Sequence, residues 1–303
     1  MSTGIQLREA THDDYEAVVA FTENTWPDRD GGDYIPHIYH DWIEGDDRRT
    51  VVADAGDDIA GIVQCVLLSD WEAWGQGMRV NPEFRGRNVG VEMTHDLFSW
   101  ARDRGATVLR NMVFSWNVAG LGHSRATGYE PATEFRWAHP TPDPDAEPAG
   151  RAEITSDPNA AWRFWTDSAA RDHLRGLALD DEESWALSQL TRDHLRAAAD
   201  DDGLFVVQGE KTRGFAHRVR EYDRPDEDGD PARWVEYGVG AWADAESAAA
   251  LFGAVARDAA ARDADRTRVL IPETVEAVSD AAACRVEVAA EPDFVLAADL
   301  TGK

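Results

Sequence analysis

Between Met78 and Gly90 the chain reads Met-Arg-Val-Asn-Pro-Glu-Phe-Arg-Gly-Arg-Asn-Val-Gly: a strand end, a turn of Gly, Arg and Asn, and the start of an amphipathic helix. Such an arrangement suits an anion. The first amide N–H groups of a helix have no internal partner and point outward with the positive end of the dipole, so a diphosphate can accept several at once. Gly86 and Gly90 remove side chains that would block close backbone approach, and Arg85 and Arg87 add charge-assisted contacts. A Gly/Arg turn before a helix is common as a purely structural feature, so its surroundings must give it meaning.

Those surroundings resemble the coenzyme A pyrophosphate loop of the GNAT superfamily of N-acetyltransferases. The family pattern is Arg or Gln, any two residues, Gly, any residue, Gly or Ala, after a strand ending in Val-x-Pro. Val80, Pro82, Arg85 and Gly90 match it, whereas Asn88 stands where the family usually has its central Gly. Asn tolerates left-handed backbone better than larger side chains, which lets the loop keep its shape. Downstream, Ser115-Trp116-Asn117 closes the next strand and Gly128-Tyr129 takes the family's Gly-Phe position, so the resemblance covers residues 5 to 139. It implies acetyl-coenzyme A as co-substrate, held by Met78, Val80, Arg85, Gly86, Arg87, Asn88, Val89, Gly90 and Asn117. Asn117 would reach the pantetheine arm, the backbone of Met78 to Val80 would pair with the arm's amides, and an N–H near Val80 would face the thioester carbonyl.

Acetyl transfer needs a neutral amine, an acceptor for its proton, and a group that protonates or stabilises the leaving thiolate. Many relatives place a Tyr seven positions after the Asn for the last role; here that position is Ser124, flanked by His123. A coenzyme A thiolate leaves tolerably near neutral pH, so loss of the Tyr slows the chemistry without forbidding it. Glu72, which shares strand parity with Trp74 and Gln76, and His123 are the candidate bases. The resemblance puts the 26–36 loop over the acceptor end, with Trp26, Asp28, Asp30, Asp33 and Tyr34 as its lining. Carboxylates there suit a cationic amine, although they equally suit an acidic surface. His37, His40 and Asp41 have a metal-like spacing but no separated further ligand, so no metal is expected.

The elements that position these groups are read from periodicity. Ile5–Ala10 alternates as a strand, and helices follow over Thr11–Thr25 and His37–Glu44. A hairpin spans Thr50–Asp54 and Ile59–Leu68, and a strand covers Glu72–Val80. The next helix carries Val89, Met93, Leu97 and Ala101 on one face; a strand at Thr107–Phe114 and a helix at Asn117–Thr127 complete the set. A stretch from Pro140 to Gly150 with four prolines reads as a linker. Beyond it come helices at Ala160–Leu174 and Asp181–Ala199, a hairpin over Leu204–Arg220, a strand at Arg233–Trp242, a helix at Asp244–Asp263, a strand at Thr267–Ile271, a helix to Cys284 and a strand at Phe294–Asp299. The order repeats, and Val51-Val52, Gly56 and Gly61-Ile62-Val63 have counterparts in Val206-Val207, Gly209 and Gly214-Phe215-Ala216, which points to duplication, with two unrelated α/β domains as the alternative. The expectation is an α/β fold with a mixed sheet: a GNAT-like domain at 1–139, a linker at 140–150, and a degenerate GNAT-like domain at 151–303. In the second, Asp244 and Glu246 stand at the start of the helix and would repel a pyrophosphate.

Composition bounds the rest. The 303 residues include 58 acidic and 30 basic ones, a formal charge of −28, with only Lys211 and Lys303 as lysines. Nucleic acid and anionic membranes are poor partners for such a chain. Carboxylate excess with scarce lysine reads as salt adaptation of a cytoplasmic, haloarchaeal type, the alternative being a merely acidic protein from a GC-rich genome. Cys65 and Cys284 form no ligand spacing and read as reduced thiols; Met1–Ala10 has no apolar signal core. The reading is an N-acetyltransferase of the acyltransferase class, monomer or homodimer, acting on a small-molecule or peptide amine. The alternative is a non-catalytic acyl-coenzyme A sensor or scaffold.

Overall fold

The computed structural model describes residues 4–23, 25, 32–146, 153–225 and 230–302. The elements in chain order are β1 (Gln6–Glu9), α1 (Tyr15–Thr22), α2 (Ile35–Trp42), β2 (Arg48–Asp54), β3 (Ile59–Leu67), β4 (Glu72–Val80), α3 (Val89–Asp103), β5 (Val108–Phe114), α4 (Val118–Ala126) and β6 (Glu130–His139). They continue with β7 (Glu153–Thr155), α5 (Pro158–Thr166), α6 (Ala169–His173), β8 (Leu177–Leu179), β9 (Leu187–Gln189), α7 (Arg192–Asp200), β10 (Leu204–Gln208) and β11 (Thr212–Pro225). The last are β12 (Pro231–Trp242), α8 (Ala245–Ala261), β13 (Arg266–Pro272), α9 (Val275–Ala283), β14 (Glu287–Val288) and β15 (Asp293–Asp299).

Contacts group these into two compact units that are discontinuous in sequence: Met1–Val113 with Asn117–Pro131 and Val295–Lys303, and Phe114–Trp116 with Ala132–Phe294. A division at the 140–150 stretch therefore differs from the contact units by two strands. The end of the chain supplies the last strand of the first unit, and most of β6 belongs to the second.

In the first unit the strand order is β1-β2-β3-β4-β5-β15. β1 to β4 run as antiparallel neighbours, and β4 pairs with β5 in parallel. The parallel ladder is short: Glu72, Ala73 and Trp74 face Val108, Leu109 and Arg110. β4 nevertheless continues to Val80 and β5 to Phe114, so the two strands part beyond Trp74 and Arg110. β4 also carries one extra residue against β3, since Ile62 faces Arg79 while Gln64 faces Gln76. Gly77, at φ +65°, allows that bulge, and the indole of Trp42 lies 2.0 Å from where a Cβ would stand. One face of the sheet buries Val18, Ile35, Tyr39, Trp42 and Ile62. α3 turns Val89, Met93, Leu97 and Ala101 inward, as their spacing predicts.

The second unit has strand order β6-β13-β12-β11-β10-β7, and β8 and β9 form a separate hairpin. Its parallel pair is β12 with β13, from Trp234 with Arg266 to Tyr237 with Val269. β12 again has an extra residue against its antiparallel neighbour, Ala216 facing Gly240 and Arg218 facing Tyr237. α8 packs Leu251, Phe252 and Val255 against Val207, Val235, Tyr237, Val269 and Ile271.

Several boundaries differ from the sequence reading for identifiable reasons. A helix over Asp181–Ala199 is not formed: Leu177 pairs with Gln189 and Leu179 with Leu187 as β8 and β9, and α7 starts only at Arg192. Thr191 sets that start, its hydroxyl accepting the His194 N–H at 3.3 Å. The Ala160–Leu174 helix is two helices, because the Ser168 hydroxyl caps a new start by accepting Arg171 N–H at 3.1 Å. The first predicted helix is a 3-10 turn at His12–Asp14 followed by α1, and it ends at Thr22. α2 begins two residues early, with Pro36 in its first turn, where a missing N–H costs nothing. Strand β6 was not anticipated, although Thr133, Phe135 and Trp137 are buried at alternate positions.

His217 on β11 stands in the second unit where Gln64 stands in the first. It is 1% exposed, and neither ring nitrogen has a hydrogen-bond partner among the described residues. Burial pushes its pKa down to about 3, whereas an unfolded imidazole titrates near 6.5. Between those values the unfolded chain holds the extra proton, so the stability gained by a neutral His217 is complete above about pH 6.5 and is lost as pH falls toward 3. His217→Gln should flatten this dependence. Going from pH 7 to pH 5, the parent should lose about 2 kcal/mol more stability than the variant in urea unfolding; equal losses would mean that the ring is not held neutral.

Candidate functional site

The turn from β4 into α3 forms as the sequence predicts and is open to solvent. Arg85, Gly86, Arg87 and Asn88 are all exposed. Gly86 adopts φ +76°, and Asn88, the residue before α3, adopts φ +64° and ψ +10°, the left-handed conformation. No atom lies within 4 Å of a Cβ built on Gly86. The first helical hydrogen bond runs from Glu92 N–H to Asn88 C=O at 3.0 Å, which leaves the amides of Val89, Gly90 and Val91 ahead of the ladder. Asn88 makes no side-chain cap to them. Arg87 lies over the Phe84 ring, 5.0 Å from its centroid, and among the described residues neither Arg85 nor Arg87 has an ion-pair partner. The result is an uncapped helix start flanked by two guanidinium groups.

The remaining cofactor candidates border this turn. Met78 and Val80 lie on the stretch of β4 that has left β5, directly after the Gly77 bulge. Gly90 marks where β4, α3 and α4 meet: a Cβ there would stand 3.1 Å from His123 Cε1 and 3.5 Å from Val80 Cγ2. Close packing against His123 therefore favours a glycine at 90. Asn117 caps α4, its Oδ1 accepting Gly120 N–H at 2.9 Å.

The catalytic candidates are placed differently from one another. Glu72 is neither a solvated acid nor a free base. It is 2% exposed and holds Arg110 Nη1 at 2.6 Å, and the Ser69 hydroxyl donates to its other oxygen at 3.3 Å. Ser124 is also buried; its Oγ accepts from Asn111 Nδ2 at 3.0 Å. His123 Nε2 lies 2.9 Å from Thr94 Oγ, and that hydroxyl donates to Gly90 C=O at 2.9 Å. The hydroxyl's one proton being used, His123 must donate through Nε2, which leaves Nδ1 as the nitrogen with a lone pair. Burial lowers the His123 pKa, with a smaller contribution from His95, so the ring favours the neutral form a base requires.

On the acceptor side, Trp26, Asp28 and Asp30 lie outside the described residues. Asp33 is not available to a cationic amine. It is buried, its oxygens bind Arg79 Nε at 2.6 Å and Nη2 at 3.2 Å, and Oδ1 also accepts Ile35 N–H at 3.1 Å. The spacing of Asp33 and Arg79 in sequence gave no sign of this pair, which ties the start of α2 to β4. Tyr34 is 38% exposed and lies over Arg79, whose Cζ is 5.4 Å from its centroid. His37, His40 and Asp41 do not form a metal site; among the described residues no group of three or more potential ligands does. No described helix is long and apolar enough to cross a membrane.

Comparison with known proteins agrees with this geometry. Residues 7–122 match the Acetyltransferase (GNAT) family model. Histidine N-acetyltransferase of Scomber australasicus is 30% identical over 87 residues, 28% of this chain and 25% of that protein. The Oreochromis niloticus enzyme of the same name is 26% identical over 87 residues, 28% of this chain and 25% of that protein. The chain thus spans about a quarter of the length of the curated relatives it matches. A GCN5-related N-acetyltransferase structure from Sphaerobacter thermophilus superposes with a TM-score of 0.65 at 15% identity, over 98% of this chain and 96% of that one. A candidate acetyltransferase from Thermoplasma acidophilum gives 0.55 at 16% identity, over 97% and 100%. The protein has the fold and strand topology of GNAT acetyltransferases.

The Glu72 geometry sets a discriminating test. Glu72→Gln removes a charge from a buried pair and strands Arg110, which should cost about 3 to 5 kcal/mol in equilibrium unfolding. An unchanged unfolding free energy would return Glu72 to the list of free carboxylates.

Proposed function

We propose that the first unit, within the 1–139 segment, binds acetyl-coenzyme A in the gap between β4 and β5 and transfers the acetyl group to a primary amine of a small molecule or peptide by direct attack. The observation that carries this reading is the left-handed turn at Gly86 and Asn88, which presents the uncapped α3 amides with Arg85 and Arg87 beside them. The match of residues 7–122 to the GNAT family model supports the same cofactor. The diphosphate would take the α3 amides and Arg85. The pantetheine arm would lie along Met78–Val80 toward Asn117, where β4 lacks a β5 partner.

For the proton, Nδ1 of His123 is the better-supported acceptor, because Glu72 is held by Arg110. The acceptor amine belongs to the end bordered by Tyr34. That relatives are named for acetylating histidine favours an amino acid or similar small amine. Within the same reading, the 151–303 segment is a degenerate copy of the first. The shared element order and the bulge at corresponding positions of β4 and β12 support this. The excess of carboxylates supports a salt-adapted cytoplasmic setting.

A second reading, an acyl-coenzyme A binder without transfer, is favoured by the engagement of Ser124 with Asn111 in place of the usual Tyr. The two part on chemistry. With an amine panel at high salt, the enzyme releases free thiol from acetyl-coenzyme A and the binder releases none. On either reading Arg85→Glu should weaken coenzyme A binding at least 100-fold by calorimetry, while leaving the thermal midpoint unchanged because the side chain is exposed. Unaltered affinity would remove the cofactor assignment altogether.

A further inference from the structure

The β5 wall of the gap carries a polar group. The ladder with β4 ends at Arg110, so Asn111 is the first β5 residue beyond it. Leu109, Asn111 and Val113 share one strand face. Leu109 and Val113 are buried, and Val113 Cγ1 lies 3.0 Å from where a Cβ on Gly120 of α4 would stand. Asn111 meets the same helix, its Nδ2 donating to Ser124 Oγ at 3.0 Å. A carboxamide between two buried aliphatic side chains costs stability unless its polar atoms are used.

Those atoms are used only in part. Asn111 Oδ1 is buried and has no hydrogen-bond donor among the described residues. Ser124 is 2% exposed; its oxygen accepts from Asn111, and among the described residues its own proton has no acceptor. An acceptor and a donor thus stand side by side within the fold, both unmet. Turning the carboxamide over exchanges their roles, Ser124 then donating to Asn111, and again leaves one N–H and one lone pair over. Either way the pair calls for a ligand that brings a donor and an acceptor close together, because a buried polar group without a partner costs more than a hydrogen bond gains.

Resting on the coenzyme A reading of the same gap, we propose that Asn111 and Ser124 hold the aminoethanethiol end of the coenzyme. The last amide N–H of the arm donates to Asn111 Oδ1, and the Ser124 hydroxyl donates to the sulfur two carbons further along. A nitrogen and a sulfur joined by two carbons can meet two neighbouring partners at once, and sulfur, a weak acceptor, takes the proton that Ser124 has to spare. Asn111 then selects for the arm, whereas Arg85 and the α3 amides select for the diphosphate. The pairing holds whether or not acetyl transfer follows.

Calorimetry on the full chain tests this with coenzyme A and with 3′-phosphoadenosine 5′-diphosphate, which carries the diphosphate and lacks the arm. Asn111→Leu, close in shape and without polar atoms, should weaken coenzyme A binding about tenfold and leave the affinity for the nucleotide unchanged. Ser124→Ala should weaken coenzyme A about threefold, again without effect on the nucleotide, and it decides alone if Asn111→Leu does not fold. Arg85→Glu, by contrast, should weaken both ligands. Coenzyme A binding that survives these two substitutions, equal losses for both ligands in a variant that keeps the parent's thermal midpoint, or a parent that binds the two ligands equally would each overturn the inference and leave the diphosphate assignment standing. Failure of the parent to bind either ligand would remove that assignment and this inference with it.

Discussion

The geometry of both units follows from one constraint: two parallel strands hydrogen-bond for a few residues and then separate because one of them carries an extra residue against its other neighbour. In the first unit the Gly77 bulge bends β4 after it has paired Glu72–Trp74 with β5. A bulge increases local twist and re-aims the strand, so β4 cannot follow β5 to its end. The facing backbone groups lose their ladder partners, while Gly75 makes room for Leu109 and Tyr129 and Gly77 for the indole of Trp42. The gap opens at the carboxyl end of the parallel pair, where open α/β sheets receive their ligands. α3 starts there and directs its free amides into the same opening.

Charge is distributed in a way that gives the two exposed guanidinium groups meaning. In a chain with nearly twice as many acids as bases, most cations would be expected to meet carboxylates, and inside the protein they do. Arg79 holds Asp33, Arg110 holds Glu72, Arg268 holds Glu236 between the rings of Trp137 and Trp185, and Arg218 holds Asp258. Removing one member of any of these buried pairs strands its partner. Arg85 and Arg87 are exposed without a carboxylate partner, as Arg163, Arg175 and Arg285 also are, but these two stand beside a helix start that itself carries positive potential. Placing positive charge there disfavours the empty turn and favours an anion within it.

The turn and the strands around it were legible because their signals are local. Gly86, Asn88 and the four-residue spacing of Val89, Met93, Leu97 and Ala101 determine backbone conformation within a few residues of themselves. The roles of Asp33, Glu72 and Ser124 were not legible, since each depends on a partner far along the chain: Arg79 at 46 residues, Arg110 at 38 and Asn111 at 13. Sequence composition actively misled at the first two. An acid in a very acidic chain reads as solvated, and only the fold shows which two are enclosed. The helix expected over Asp181–Ala199 failed for the opposite reason. Its apolar residues Leu187 and Leu190 fit a helical period as well as a short strand, and the pairing of β9 with β8 decided between them.

Helix starts offer a last comparison. α4, α5, α6, α7, α8 and α9 are each capped by the side chain of Asn117, Asp157, Ser168, Thr191, Asp244 or Thr274. α1 continues from a 3-10 turn closed by Thr11 and Asp14, and Asp33 serves α2 from one residue further back. α3 has no such group: Asn88 is of a type that caps helices well, yet its left-handed backbone turns the side chain away from that use. Leaving a start uncapped costs about 1 kcal/mol, and a non-glycine residue at positive φ adds to it. The other described helix starts are satisfied from within the chain, and the stability given up at this one is what the proposed diphosphate would offset by accepting the open amides.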